Sequence, residues 1–230
     1  MANGKDKTEA TPRIQQSWTL KSGRFGSYFP TEALVTTAAF FPYFCVMLPR
    51  APLLTARLCL RPYELTDAGP FFTLLHADRP RFRASFPDRL QAVRVPADAT
   101  VALRAFAQDW QSGRFYVFGI WHRTTDAYLG DICLMPQAKA QAEIGYYLAA
   151  AAEGHGYARE ALEAVVAFGF GTVGSQRLLI RCFANNTRGQ AVARAIGFQL
   201  ESSPKRPLWF RNADTPSNIR RFWLTRDSDT

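Results

Sequence analysis

The chain has 230 residues, 47% of them hydrophobic, enough to bury a sizeable core in a single domain. Its formal charge of +9 is carried mostly by scattered arginines, which suits anionic ligands but, with no zinc-finger pattern and no basic stripe, excludes a dedicated nucleic-acid motif. The three histidines lack ligand spacing, so no metal site is expected, and Cys45, Cys59, Cys133 and Cys182 form no C-x-x-C pair, which favours a reduced, cytoplasmic chain over a disulfide framework.

Residues 1–46 do not share the pattern that follows. Met1 to Pro30 is polar and basic without a clear period, and Ala33 to Leu48 is apolar with Pro42 inside it. That stretch falls short of the roughly 20 apolar residues a membrane helix needs. No small-residue cleavage pattern follows it cleanly, so no membrane partner is expected. A chain starting at Met47 would begin just before the first regular strand. Residues 1–46 therefore read as an upstream read-through or dispensable extension, with a loosely docked arm and a targeting segment as alternatives. The expected single domain is 47–230.

From there the elements follow in order. Arg57 to Pro62 alternates apolar and polar residues, as a half-buried strand does. Thr66 is placed to cap a helix from Asp67 through Phe71, Phe72, Leu74 and Leu75. Residues 79–96, rich in Arg and Pro, read as a loop or short turns. Pro96-Ala97-Asp98 opens a helix through Val101, Leu103, Phe106 and Trp110, ended by Gly113. Tyr116 to His122 and Tyr128 to Met135 read as strands joined by a turn at residues 124–127. Pro136 to Gln141 is a connection, and Ala142 to Leu148 a further strand. A helix from Tyr157 has an apolar stripe through Ala161, Leu162, Val165 and Phe168. Arg177 to Phe183 is a strand and Arg188 to Ile196 a helix. Phe198 to Ser202 and Arg221 to Thr225 form a closing antiparallel pair, with a long connection from Pro204 to Asn218.

The turn Gly154-His155-Gly156 lies at the start of the helix beginning at Tyr157. Unpaired N–H groups and the positive end of the helix dipole can grip a phosphate there, and a tight helix entry is the competing reading. The chain shows neither G-x-G-x-x-G with a later acidic partner nor G-x-x-x-x-G-K-[ST].

EGHGYAREAL resembles the Q/R-x-x-G-x-G/A cofactor loop of the GNAT N-acetyltransferases. AEIGYYL before it is similar to that family's fourth strand in the ribosomal-protein N-terminal (RimJ/RimL-like) branch. ANNTRGQAVARAIGFQLE resembles its N-x-x-S…GF segment, and LLTARLCLRPYELTDAGPFF its opening strand and helix. The resemblance spans roughly Leu53 to Arg226. It implies an α/β (α+β) fold: a mostly antiparallel mixed sheet with a splayed fourth and fifth strand pair, flanked by helices on both faces.

It further implies acetyl-CoA as cosubstrate, with pantetheine along Tyr146, Tyr147 and Leu148. The pyrophosphate would meet the N–H groups of Gly154, His155, Gly156, Tyr157 and Ala158, with charge added by Arg159. The family's Q/R position falls on Ala151, which removes one side-chain contact.

Acetyl transfer to a neutral amine needs a base, an oxyanion donor and an acid for the thiolate. Glu143 is the expected base, with loop orientation or an arginine pair as its alternative role. Leu148 or Tyr147 N–H would take the oxyanion. Asn186 matches the N of N-x-x-S, but Gly189 stands at the Ser position and Arg194 where some relatives carry a tyrosine. Tyr146, Tyr147 or a water held by Asn186 is left as thiolate acid, or the thiolate leaves unaided.

An α-amine has a pKa of about 7.7–8.0 against about 10.4 for lysine, so far more of it is neutral at pH 7. The expected acceptor is thus a protein or peptide N-terminus. A small amine, or a non-catalytic acyl-CoA-binding module, is the alternative. Phe82, Phe86, Trp209 and Phe210 are candidates to line the acceptor groove or simply to pack two loops. The expected assembly is a monomer or homodimer.

Overall fold

Strand β2 (Leu58–Arg61) buries Leu58 and Leu60 completely and leaves Cys59 and Arg61 partly exposed, the period of two that a sheet covered unequally on its faces requires. The computed structural model describes residues 51–83, 85–201 and 218–226. The extension 1–46 and most of the connection from Pro204 to Asn218, with Trp209 and Phe210, lie outside them.

The sheet has eight strands in the order β1-β2-β3-β4-β5-β6-β8-β7. They are β1 (Leu53–Leu54), β2, β3 (Tyr116–His122), β4 (Tyr128–Gln137), β5 (Gln141–Leu148), β6 (Arg177–Phe183), β7 (Gln199–Leu200) and β8 (Ile219–Thr225). All neighbours run antiparallel except β5 and β6. The parallel pair arises because a helix, α5 (Tyr157–Gly171), carries the chain back between them.

Each face of the sheet holds its own core. On one, Ala142, Ile144 and Leu148 of β5 and Ile132 and Leu134 of β4 pack with Leu162, Val165 and Phe168 of α5 and Ala193 of α6 (Thr187–Ala195). On the other, Cys133 of β4 and Tyr147 of β5 meet Phe71 and Leu75 of α1 (Ala68–Ala77) and Leu103 and Phe106 of α4 (Pro96–Gln111). Alternation along β5 therefore sends Tyr146 and Leu148 to the α5 side, and Glu143 and Tyr147 to the α1 side.

Two local expectations are corrected. Residues 79–96 fold into two short helices, α2 (Arg79–Phe82) and α3 (Pro87–Ala92), each with proline in its first turn, where the missing N–H costs nothing. Helix α1 is entered through a 3₁₀ turn, Leu65–Asp67, so Thr66 is an exposed residue of that turn rather than the cap. Asp67 fills the role instead: Oδ2 accepts the Glu64 N–H at 2.7 Å, and both oxygens pair with Arg61. A buried carboxylate with two partners outcompetes an exposed hydroxyl for the backbone donor.

Candidate active site

β5 and β6 stay in register only from Gln141 opposite Arg177 to Ile144 opposite Ile180. Beyond that the two strands part, forming a wedge. Ala149 N–H bonds to Leu129 carbonyl at 2.8 Å, across β4. Counting back by alternation, the main chain of Tyr147 also faces β4, and that of Tyr146 and Leu148 faces the wedge. Both the N–H and the C=O of Tyr146 and Leu148 thus stand on a free strand edge. Of the two amides expected to receive an oxyanion, Leu148 points into the opening and Tyr147 points away from it.

The glycine turn lies at the mouth of this wedge. Gly154 and Gly156 have φ of 82° and 80°, the left-handed region where a Cβ is strained. Gly156 is the cap residue just before α5, and the N–H groups of Tyr157, Ala158 and Arg159 have no acceptor within the helix. The turn is braced from the segment between β1 and β2. Arg57 donates to the His155 carbonyl at 2.9 Å, pairs with Glu160 at 2.7 Å and stacks on the Tyr157 ring. Glu160 also accepts from Thr55 Oγ1 and the Arg57 N–H. Burial opposes its charge, but these bonds prevail and hold its carboxyl below the usual range. His155 stacks on Tyr157, while Arg159 turns to Glu163 at 2.9 Å.

On the opposite face, Glu143 is buried at 2% exposure. Its Oε1 takes the Arg181 Nε–H at 2.6 Å and its Oε2 an amide proton of Gln137 at 3.1 Å. Two residues on comes Gly145, and beyond it Tyr147, whose ring is clasped by Phe82 and Phe86 with centroids at 4.8 and 5.3 Å. The Tyr147 hydroxyl is buried and lacks a hydrogen bond of good geometry. Phe82 is fully packed and Phe86 half-buried, so Phe82 serves the cap over Tyr147.

Beneath that cap is a polar cluster that sequence reasoning missed. Asp131 of β4, 2% exposed, pairs with Arg89 of α3 at 2.5 Å and accepts from Tyr63 at 3.2 Å. The Tyr63 and Tyr128 hydroxyls are 2.6 Å apart. Burial is the largest influence on Arg89 and opposes its charge, but the surrounding groups, the Asp131 carboxylate first among them, together outweigh it and raise that pKa. The one signal in the sequence is an acid set among apolar residues in LGDICLM; nothing there names its partner. Tyr128 also lines an open groove of about 570 Å³ between α1 and Ala149–Ala151.

Asn186 caps α6, its Oδ1 accepting the Gly189 N–H at 2.9 Å. A Cβ at position 189 would sit 2.7 Å from Asn186 Nδ2, so a side chain there would require the cap to shift. Arg194 lies over Phe222. Tyr146 packs against the α5-side core near Cys182 of β6, and burial pushes its phenol above the usual range. Among the described residues no group of His, Cys, Asp and Glu is arranged to hold a metal, and no helix is long and apolar enough to cross a membrane.

A free strand edge leading to a braced set of unpaired N–H groups fits an extended amide-bearing arm that ends in phosphates. Comparison with known proteins agrees. A family model described as an acetyltransferase (GNAT) domain matches residues 57–199. An uncharacterised N-acetyltransferase of Bacillus subtilis, YoaA, is 26% identical over 168 residues, covering 72% of this chain and 92% of its own. The structure of RimL, a ribosomal L7/L12 alpha-N-protein acetyltransferase in complex with coenzyme A, superposes with a TM-score of 0.64 at 19% identity, covering 77% of this chain and 99% of that one. A ribosomal-protein-S5-alanine acetyltransferase from Vibrio fischeri gives 0.65 at 16% identity, with 77% and 97% covered.

Proposed function

Since the chain belongs to the GNAT acetyltransferase family, we propose that it acetylates a protein or peptide N-terminal α-amine by direct attack in a ternary complex. Acetyl-CoA, when bound, supplies a thioester already activated for acyl transfer. The observation that carries the reading is the free edge of β5 at Tyr146 and Leu148, opening beside the braced Gly154–Ala158 turn on one side and buried Glu143 on the other.

Tyr146 and Leu148 hold the pantetheine arm through main-chain bonds, and Gly154 to Ala158 take the pyrophosphate with their N–H groups. Glu143 receives the proton of the attacking amine, directly or through water. Arg181 and Gln137 fix its two oxygens, so the carboxylate keeps one orientation. Leu148 N–H meets the developing oxyanion. The hydroxyl of Tyr146, whose side chain lies on the α5 side of the sheet, returns a proton to the departing sulfur.

The acceptor class is supported by fold neighbours named as ribosomal-protein acetyltransferases, one of them an alpha-N-protein acetyltransferase. It is supported too by chemistry: a site with one fixed carboxylate suits the amine of lower pKa. The test offers acetyl-CoA with peptides carrying free N-termini, the same peptides blocked, and spermidine or an aminoglycoside. Acetyl groups located by mass spectrometry on the α-amine are expected. Turnover confined to the small amines would replace this acceptor, and turnover with none would leave an acyl-CoA-binding module.

A further inference from the structure

Glu153, the residue just before Gly154, holds two guanidinium groups at once. Its Oε1 bonds to Arg81 of α2, and its Oε2 bonds to Arg188, in the first turn of α6, at 2.7 Å. Because β5 and β6 diverge after Ile144 and Ile180, the Glu153–Arg188 pair joins the far ends of the two arms of the wedge. An arm lying on the free edge of β5 and reaching the glycine turn would end beside this contact, since Glu153 directly precedes Gly154.

Three further observations bear on it. Ala151 offers no charge where the resemblance implies Gln or Arg, and Arg159 is turned to Glu163. The Arg188 side chain is 83% exposed, so little packing restrains it from moving. Glu153 keeps Arg81 if Arg188 leaves, and Arg81 itself stays anchored to Asp78 at 2.8 Å, so the exchange strands no carboxylate.

We infer that Arg188 is a phosphate ligand for the pyrophosphate of CoA, replacing the side chain missing at position 151, and that Glu153 holds it across the mouth of the wedge until the phosphates displace it. The inference rests on the cofactor reading above. Arg188 exchanges one anionic partner for another, and its delocalised fork suits phosphate as well as carboxylate. Glu153 is then a competitor: it occupies Arg188 and sets a like charge beside the arriving phosphates.

The test is calorimetric titration of CoA and dephospho-CoA into the full chain and into Arg188→Gln and Glu153→Gln. Arg188→Gln should weaken both ligands about tenfold, one charge-assisted contact at an exposed site, and flatten the salt dependence. Glu153→Gln should tighten both about threefold. Equal loss for CoA and dephospho-CoA assigns the contact to the pyrophosphate; loss confined to CoA would move it to the 3′-phosphate and overturn the assignment. Unchanged affinity in Arg188→Gln, or weakening in both variants with a lowered unfolding temperature, would make the contact a surface brace and overturn the inference. Wild-type chain that binds no CoA would remove the cofactor reading itself. Wild-type binding with an unaffected Arg188→Gln would remove this inference alone.

Discussion

The two faces of the sheet build their halves of the site in different ways. On the α5 side the parts are main chain: unpaired N–H and C=O groups of Tyr146 and Leu148, and a helix start shaped by Gly154 and Gly156. On the α1 side they are buried side chains in tight pairs, Glu143 with Arg181 and Asp131 with Arg89. A main-chain site is a local property of the sequence and tolerates many neighbours. A buried ion pair works only with both partners present, and loss of one leaves an uncompensated charge. Affinity for the cofactor should therefore rest on the first face and stability on the second, while turnover draws on both, through Tyr146 and Leu148 on one side and Glu143 on the other.

Glu143→Gln should cut kcat about 10²–10⁴-fold with little change in CoA affinity, if the carboxylate is the base. A loss below threefold would return Glu143 to the role of an arginine's partner. Asp131→Ala should destabilise the fold by about 3–5 kcal/mol in urea, because Arg89 stays buried and charged. The double variant Asp131→Leu, Arg89→Met should recover much of that loss. An undiminished single variant would show that the cluster is solvated. Gly156→Val places a β-branched residue at φ 80°, its Cβ 3.4 Å from Arg57 Nη2, and should weaken CoA at least about tenfold in a folded protein.

Tyr146→Phe should slow turnover about tenfold and spare CoA binding. Because burial raises that phenol, the wild-type rate should show no alkaline fall through its ionisation below about pH 10. An alkaline limb near pH 9 that disappears in the variant would count against the packing described for it. The smallest effect is expected for Glu160→Gln, a few-fold loss of CoA affinity. Glu160 has a depressed folded pKa, so its contribution to stability is complete above the usual glutamate range and fades as pH falls through that lowered value. Acid unfolding curves of wild type and variant should converge at the acid end.

The legible parts of the sequence were those with a period or a special backbone angle. The alternation in Leu58–Arg61, the stripe from Ala161 to Phe168 and the glycines at 154 and 156 each carry their structure within a few neighbouring residues. The resemblance then supplied the wedge, which no local pattern encodes. The illegible parts depend on distant partners. Asp131 and Arg89 are separated by 42 positions, and Arg57 meets Glu160 from 103 positions away. Helices α2 and α3 escaped notice because their prolines read as breakers, although at a first turn proline does not break a helix. The close fit at Gly189, where a Cβ would meet the Asn186 side chain, is likewise visible only in three dimensions.

The wedge has a mechanical consequence. The sheet is two plates, β1–β5 and β6–β8–β7, hinged along four register pairs between Gln141 and Ile144. The smaller plate carries α6 on its face. A ligand lodged between the plates would act as a rivet. Amide hydrogen exchange in β6 and β8 should slow when the wedge is filled, even at positions the ligand never touches, while β2 and β3, on the far plate, keep their rates.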